Sequence, residues 1–148
     1  MPLTDTRWQL LATQQIKRLK ARYFDTLDAK RWNEFATLFT PDCEFITYRD
    51  ADNTHPKRRC GPDEIVASVR RTVGAAVTRH QGHLLEIEFQ QHTAVDGCSG
   101  KAIWEMTDSA EIADGKSLRI FRGAGRYYEQ YRLLDEHWMI SRLELRRN

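Results

Sequence analysis

Cysteine is scarce. Cys43, Cys60 and Cys98 are the only three, an odd number at wide spacing, and they fit neither a disulfide framework nor the CxxC ligand pairs of a zinc site. Glycine and proline are also few, at eight and four residues. No linker, internal repeat or low-complexity stretch divides the chain, which reads as a single domain over 1–148. No run of about 18 apolar residues occurs, so no transmembrane helix is expected. The opening MPLTDTRWQLL lacks a basic n-region, and charge interrupts its apolar residues. It predicts no secretory leader and, with the unpaired cysteines, a cytoplasmic setting. Net charge is only +2. The basic clusters Lys57-Arg58-Arg59, Arg70-Arg71 and Arg146-Arg147 are short, scattered and free of interleaved aromatics, and they read as solvated surface. Neither nucleic acid nor a membrane is expected as a partner. No Gly-rich phosphate loop is present, and the chemistry considered below needs no metal or nucleotide cofactor.

The apolar pattern of what remains changes period along the chain. Trp8, Leu11, Ala12, Ile16, Leu19, Tyr23 and Leu27 recur every three or four residues with Lys and Arg between them. That spacing predicts a long amphipathic helix, opened by a capping box at Thr6-Arg7-Trp8-Gln9. A shorter helix is expected over 30–39, with Trp32, Phe35, Leu38 and Phe39 as its apolar side and Thr40-Pro41 as its stop. CEFITY (43–48) has strand composition, and the polar 49–60 reads as a loop. Gly61-Pro62-Asp63-Glu64 opens a third helix with Pro and acids in its first turn; Ile65, Val66, Val69 and Val73 share its apolar face and Gly74 caps it. Strand patterns then follow to the end: His83, Leu85, Ile87 and Phe89 alternate with polar residues, as do Ala102, Trp104, Met106 and Asp108. The stretch 118–134 joins 137–145 through Asp135-Glu136. Gly123 and Gly125, inside a strand, mark a bulge, a bend or a close approach. Helices first and strands after predict an α+β fold, a strongly curved, mainly antiparallel sheet covered by three helices and closing into a cone with a cavity.

Two imidazoles in RHQGHLLEI (79–87) raise the question of chemistry. As a metal pair, His80 and His83 would have to share a face, but an odd separation on a strand sends them to opposite sides, and no flanking acid completes a zinc pattern. Both could equally be structural or exposed. Asp28 offers His80 a partner, because it lies one turn after Phe24 at the edge of the buried stripe, where an unpaired carboxylate is costly. A carboxylate bound to an imidazole fixes its tautomer and strengthens it as a base. The competing role for Asp28 is N-capping of the next helix. Asp108 shares a face with Trp104 and Met106 and is either a second cavity acid or the end of a strand.

IKRLKARYFDTLDAKRWNEFATLFTPDCEF, the RHQGH and IWEMTD segments and GAGRYYEQYRLLDEHWMISRLEL together resemble the SnoaL-like branch of the nuclear transport factor 2-like superfamily, from about residue 10 to residue 145. The resemblance implies the conical α+β barrel of that superfamily (also called cystatin-like), whose members include dehydratases, a dehydrochlorinase, polyketide cyclases, steroid isomerases and non-catalytic binding modules. It further implies an Asp–His pair, carried here by Asp28 and His80, and carbonyl-binding tyrosines at Tyr23 and Tyr48. Trp104, Asp108 and Arg126 are the candidate substrate contacts. Where many relatives have Gly-x-Gly-His-Tyr, this chain has Gly123-Ala124-Gly125-Arg126-Tyr127, so Arg126 either brings a cation to the pocket or faces solvent. The expected activity is that of a cofactor-independent lyase or isomerase, of dehydratase or cyclase type, acting on a small hydrophobic cyclic substrate beside a carbonyl. The alternative is a non-catalytic binding or dimerisation module. A homodimer or homotrimer is expected, formed through an outer sheet surface around Tyr127, Tyr128 and Tyr131.

Overall fold

The computed structural model describes residues 5–48, 52, 54–91 and 97–148. Helix α1 (Thr6–Asp28) is followed by the single turn α2 (Trp32–Ala36), strands β1 (Phe39–Tyr48) and β2 (Pro56–Cys60), and helix α3 (Gly61–Val73). Four long strands complete the chain: β3 (Val77–Gln91), β4 (Cys98–Asp114), β5 (Ser117–Leu134) and β6 (His137–Arg147). They form one six-stranded sheet in the order β2-β1-β6-β5-β4-β3. Every neighbouring pair is antiparallel except β1 with β6, which run parallel. Three helices on a curved, mostly antiparallel sheet make the α+β nuclear transport factor 2-like fold.

Several local expectations need correction. The cap of α1 is Asp5, whose carboxylate accepts the Arg7 N–H at 2.8 Å, so Thr6 is already helical and no capping box forms there. The predicted second helix shrinks to α2, and Phe39, Thr40 and Pro41 belong to β1. Proline is tolerated there because the β1–β6 register slips between Phe39 and Glu44, so its missing N–H costs no ladder bond. The second half of the expected loop is strand β2, paired with β1 from Glu44–Cys60 to Tyr48–Pro56. The first half, around residues 49–53, lies largely outside the described residues.

The largest correction concerns phase. His83, Leu85 and Ile87 were expected on one face, but the β3–β4 register shifts between Leu84 and Glu86. A bulge inserts one residue and exchanges inside for outside. Upstream of it Thr78 is buried and His80 half-buried, while His83 and Leu85 are exposed; downstream Ile87 and Phe89 face the core.

Aromatic packing fills the space between helices and sheet. Tyr23, Phe35, Phe39, Trp104, Tyr127, Tyr131 and Ile140 are buried there. Tyr127 and Tyr131 therefore point inward, leaving only Tyr128 of the three tyrosines on the outer face. Four exposed apolar side chains, Ile112, Leu118, Ile120 and Phe121, gather instead at the far ends of β4 and β5. Gly125 is a place of close approach: a Cβ there would stand 2.5 Å from the Arg146 carbonyl oxygen. Only glycine lets β5 and β6 bend against each other so tightly. The bend draws both edges of the sheet toward one hollow.

Candidate active site

Asp28 is the last residue of α1, and its carboxylate turns toward β3. Oδ1 takes hydrogen bonds from His80 Nδ1 at 2.6 Å and from the Thr78 hydroxyl at 2.9 Å, and Oδ2 takes one from the His80 backbone N–H at 2.8 Å. Helix α2 has Arg31 at its cap position with no side-chain cap bond, so Asp28 does not serve there. As an acceptor-only carboxylate, Asp28 keeps the proton of His80 on Nδ1 and leaves the Nε2 lone pair free. Phe24 stacks on the imidazole with centroids 5.6 Å apart and planes 9° apart. The His80 side chain is 8% exposed. It is held from below, from one side and along its backbone.

His80 borders a partly open cavity of about 260 Å³ between α1, α3 and the strands. Leu27, Phe45, Val69, Val73 and Leu145 make much of its wall apolar. Tyr23 and Tyr127 place two phenols there, with hydroxyl oxygens 3.4 Å apart. Burial and the neighbouring phenol push Tyr23 well above the usual tyrosine range, and burial raises Tyr127 also. Both remain O–H donors at any physiological pH. Two arginines, Arg59 and Arg147, complete the polar lining. Arg147 grips Asp108 through two bonds of 3.1 and 2.9 Å, and Asp108 Oδ2 lies 3.6 Å from His80 Nε2. The imidazole thus stands between two carboxylates, one bonded and one held just beyond hydrogen-bond distance by an arginine. A Cβ on Gly123 would stand 2.6 Å from Asp108 Oδ1 and 2.8 Å from Arg147 Nη1, so a glycine leaves room for this pair.

Tyr23, Tyr48, Asp28, His80 and Asp108 are brought to the cavity or its margin. Tyr48 borders it, but its hydroxyl donates to Glu144 Oε1 at 2.5 Å and accepts from Arg146 at 3.1 Å. The second phenol facing Tyr23 is Tyr127. Two candidates lie elsewhere. Trp104 is core: its indole N–H donates to the Tyr131 hydroxyl at 2.9 Å, and its ring borders a different hollow between α1 and β3. Arg126 is exposed on the outward face of β5, because Gly125 and Tyr127 on either side of it point inward. The arginines of the cavity are Arg59 and Arg147, both in clusters that composition assigned to solvent. Alternation carried the signal for Arg147, which follows Leu143 and Leu145 at two-residue steps along β6. Among the described residues, no group of three His, Cys, Asp or Glu side chains could hold a metal ion. No helix among them is long and apolar enough to cross a membrane.

Known proteins share this architecture. A candidate scytalone dehydratase from Novosphingobium aromaticivorans superposes with a TM-score of 0.75 at 20% identity, over 97% of this chain and 89% of that one. A hexachlorocyclohexane dehydrochlorinase (LinA, type 2) gives 0.71 at 17% identity, covering 95% and 87%. ActVI-ORFA from Streptomyces coelicolor gives 0.68 at 14%, covering 93% and 97%. At these identities the likeness speaks for the fold. The family model of the SnoaL-like domain matches residues 8–144, from the first turn of α1 into β6, and the chain belongs to the SnoaL-like domain family.

Proposed function

We propose that the protein is a lyase or isomerase of the dehydratase or cyclase type, using His80 as its base on a cyclic substrate that bears a carbonyl. The observation that carries this reading is the Asp28–His80 hydrogen bond, with the imidazole bordering a largely apolar cavity. Nε2 removes a proton from the carbon beside the carbonyl, and Asp28 balances the imidazolium that forms. Tyr23, with Tyr127 beside it, donates to the carbonyl oxygen as it gains charge. The imidazolium then returns the proton, either to a departing hydroxyl on the next carbon, which gives elimination, or to a different carbon, which gives isomerisation. A positioned base supplies about 10²–10⁴-fold, and a buried oxyanion donor about 10²–10³-fold more. The candidate dehydratase and the dehydrochlorinase among the structural neighbours support the same class of chemistry.

The test is a screen of one- and two-ring β-hydroxy ketones for loss of water, followed by the enone absorbance, with solvent-deuterium exchange at the α-carbon as a second readout. His80→Ala should lower both by about 10²–10⁴-fold. Asp28→Asn should do so by a comparable factor while substrate binding is retained. Undiminished turnover in His80→Ala refutes the mechanism. Saturable binding without exchange or turnover in the wild type favours the alternative, a binding module.

A further inference from the structure

The two arginines of the cavity differ in how their charge is met. Arg147 is matched by Asp108. Arg59 has no carboxylate partner among the described residues. Its Nη1 donates to the Thr47 hydroxyl at 2.8 Å and more distantly to the Lys57 carbonyl at 3.3 Å, both neutral acceptors. Its Nε is buried with no hydrogen-bond partner, the only such side-chain atom among the described residues. The guanidinium lies over the Phe45 ring, 5.4 Å from its centroid. The neighbour Arg58 points the other way and pairs with Glu44 at 3.1 Å, so β2 sends one arginine out to a surface acid and the next into the hollow without one. Arg59 is half-buried, and a cation that borders a largely apolar cavity without a carboxylate partner can take its acceptor from a ligand.

The position of Arg59 says which part of a ligand it would meet. It belongs to β2 and His80 to β3, the two opposite edges of the six-stranded sheet. Both border one cavity because the sheet curls on itself. A molecule reaching from one to the other therefore has its reacting carbon at one side and a second functional group at the far wall. The planar fork of an arginine suits a carboxylate, which can accept from two of its N–H groups together. About 260 Å³ is more than the roughly 150 Å³ that holds a benzene ring and is small for a four-ring skeleton.

We propose that the cavity takes a one- or two-ring acid whose carboxylate is bound by Arg59 while its reacting carbon faces His80. The assignment of the reacting end rests on the function proposed above; the anion site rests on Arg59 alone. Burial and the nearby Arg71 press the Arg59 guanidinium toward its neutral form, a pressure that a bound anion would relieve.

The test compares 2-naphthoate with neutral 2-naphthamide, titrated by calorimetry into the wild-type protein and into Arg59→Gln, Arg59→Lys, Arg147→Gln and His80→Ala. The wild type should bind the carboxylate at least about tenfold more tightly than the amide, the difference a charge-assisted pair supplies. Arg59→Gln should erase that preference without weakening the amide, and Arg59→Lys should keep part of it. His80→Ala should leave the preference intact while turnover is lost, which separates the anion site from the catalytic reading. If His80→Ala keeps both preference and turnover, the catalytic reading fails and the anion site stands. A wild type with no carboxylate preference, or with no saturable binding of either probe, overturns the proposal. So does a preference that survives Arg59→Gln or disappears in Arg147→Gln instead.

Discussion

Beneath the cavity floor Lys20 and Glu129 form an ion pair, with the two side chains 1% and 0% exposed. The other oxygen of Glu129 accepts the Tyr131 hydroxyl at 2.5 Å, and the ammonium lies 4.0 Å from the Tyr23 ring centroid and 3.5 Å from that of Tyr127. In Lys20→Met the carboxylate remains in the core with Tyr131 as its one remaining side-chain donor. Leaving a buried charge without its partner costs about 3–5 kcal/mol. At about 2–4 °C per kcal/mol for a chain of this size, the melting temperature should fall by roughly 6–20 °C. Lys20→Met/Glu129→Gln removes the orphaned charge while keeping an acceptor for Tyr131, and it should recover most of the loss. Urea unfolding at pH 7, followed by tryptophan fluorescence and by circular dichroism, measures all four corners of the cycle. A single variant within about 1 kcal/mol of wild type, or a double variant no more stable than the single, refutes the reasoning. There is also a pH signature. Burial, opposed by Glu129, lowers Lys20 from 10.5 to about 8. The native chain then binds fewer protons than the unfolded chain between those values. Wild type should therefore gain stability relative to Lys20→Met as pH rises from 8 to 10.5.

Two further outcomes follow from the interior. Burial raises Tyr23, Tyr127 and Tyr131 above their usual value of 10.0. Their contribution to stability is complete below pH 10 and is lost above it, as the unfolded phenols ionise first; absorbance titration at 295 nm should show these three ionising together with unfolding, and independent early titration of all three would contradict their burial. A Cβ at Gly82 would meet Phe24 Cε2 at 2.7 Å, so Gly82→Ala should displace the ring that stacks on His80. It should lower the proposed turnover by more than its stability loss of about 1–3 kcal/mol would account for, as a thermal melt and the elimination assay on folded protein will show.

The first and third helices, the α+β class and the long strands after residue 74 were legible because their apolar periods are clear, whereas α2 was read too long and β2 was read as loop. Asp28 was a possible partner for His80 because it sits at the edge of the buried stripe, but the sequence left N-capping equally open, and the family resemblance favoured the pair. Arg59 and Arg147 were hidden by composition, since two or three adjacent basic residues look solvated whichever of them points inward. Thr78 was hidden as well. Its hydroxyl is one of the three donors on Asp28, yet a threonine in a strand has no distinguishing pattern. Arg126 misled because a glycine-rich motif drew attention to its place in the chain, while side-chain direction there follows alternation with Gly125 and Tyr127.

The bulge between Leu84 and Glu86 makes β3 two short rulers laid end to end with one spare mark between them. Thr78 and His80 are measured by the first, Ile87 and Phe89 by the second. A single-residue deletion at Leu85 would remove that spare mark and straighten the ribbon with both halves still in phase. The imidazole would keep its acid and the far end of the core its lining.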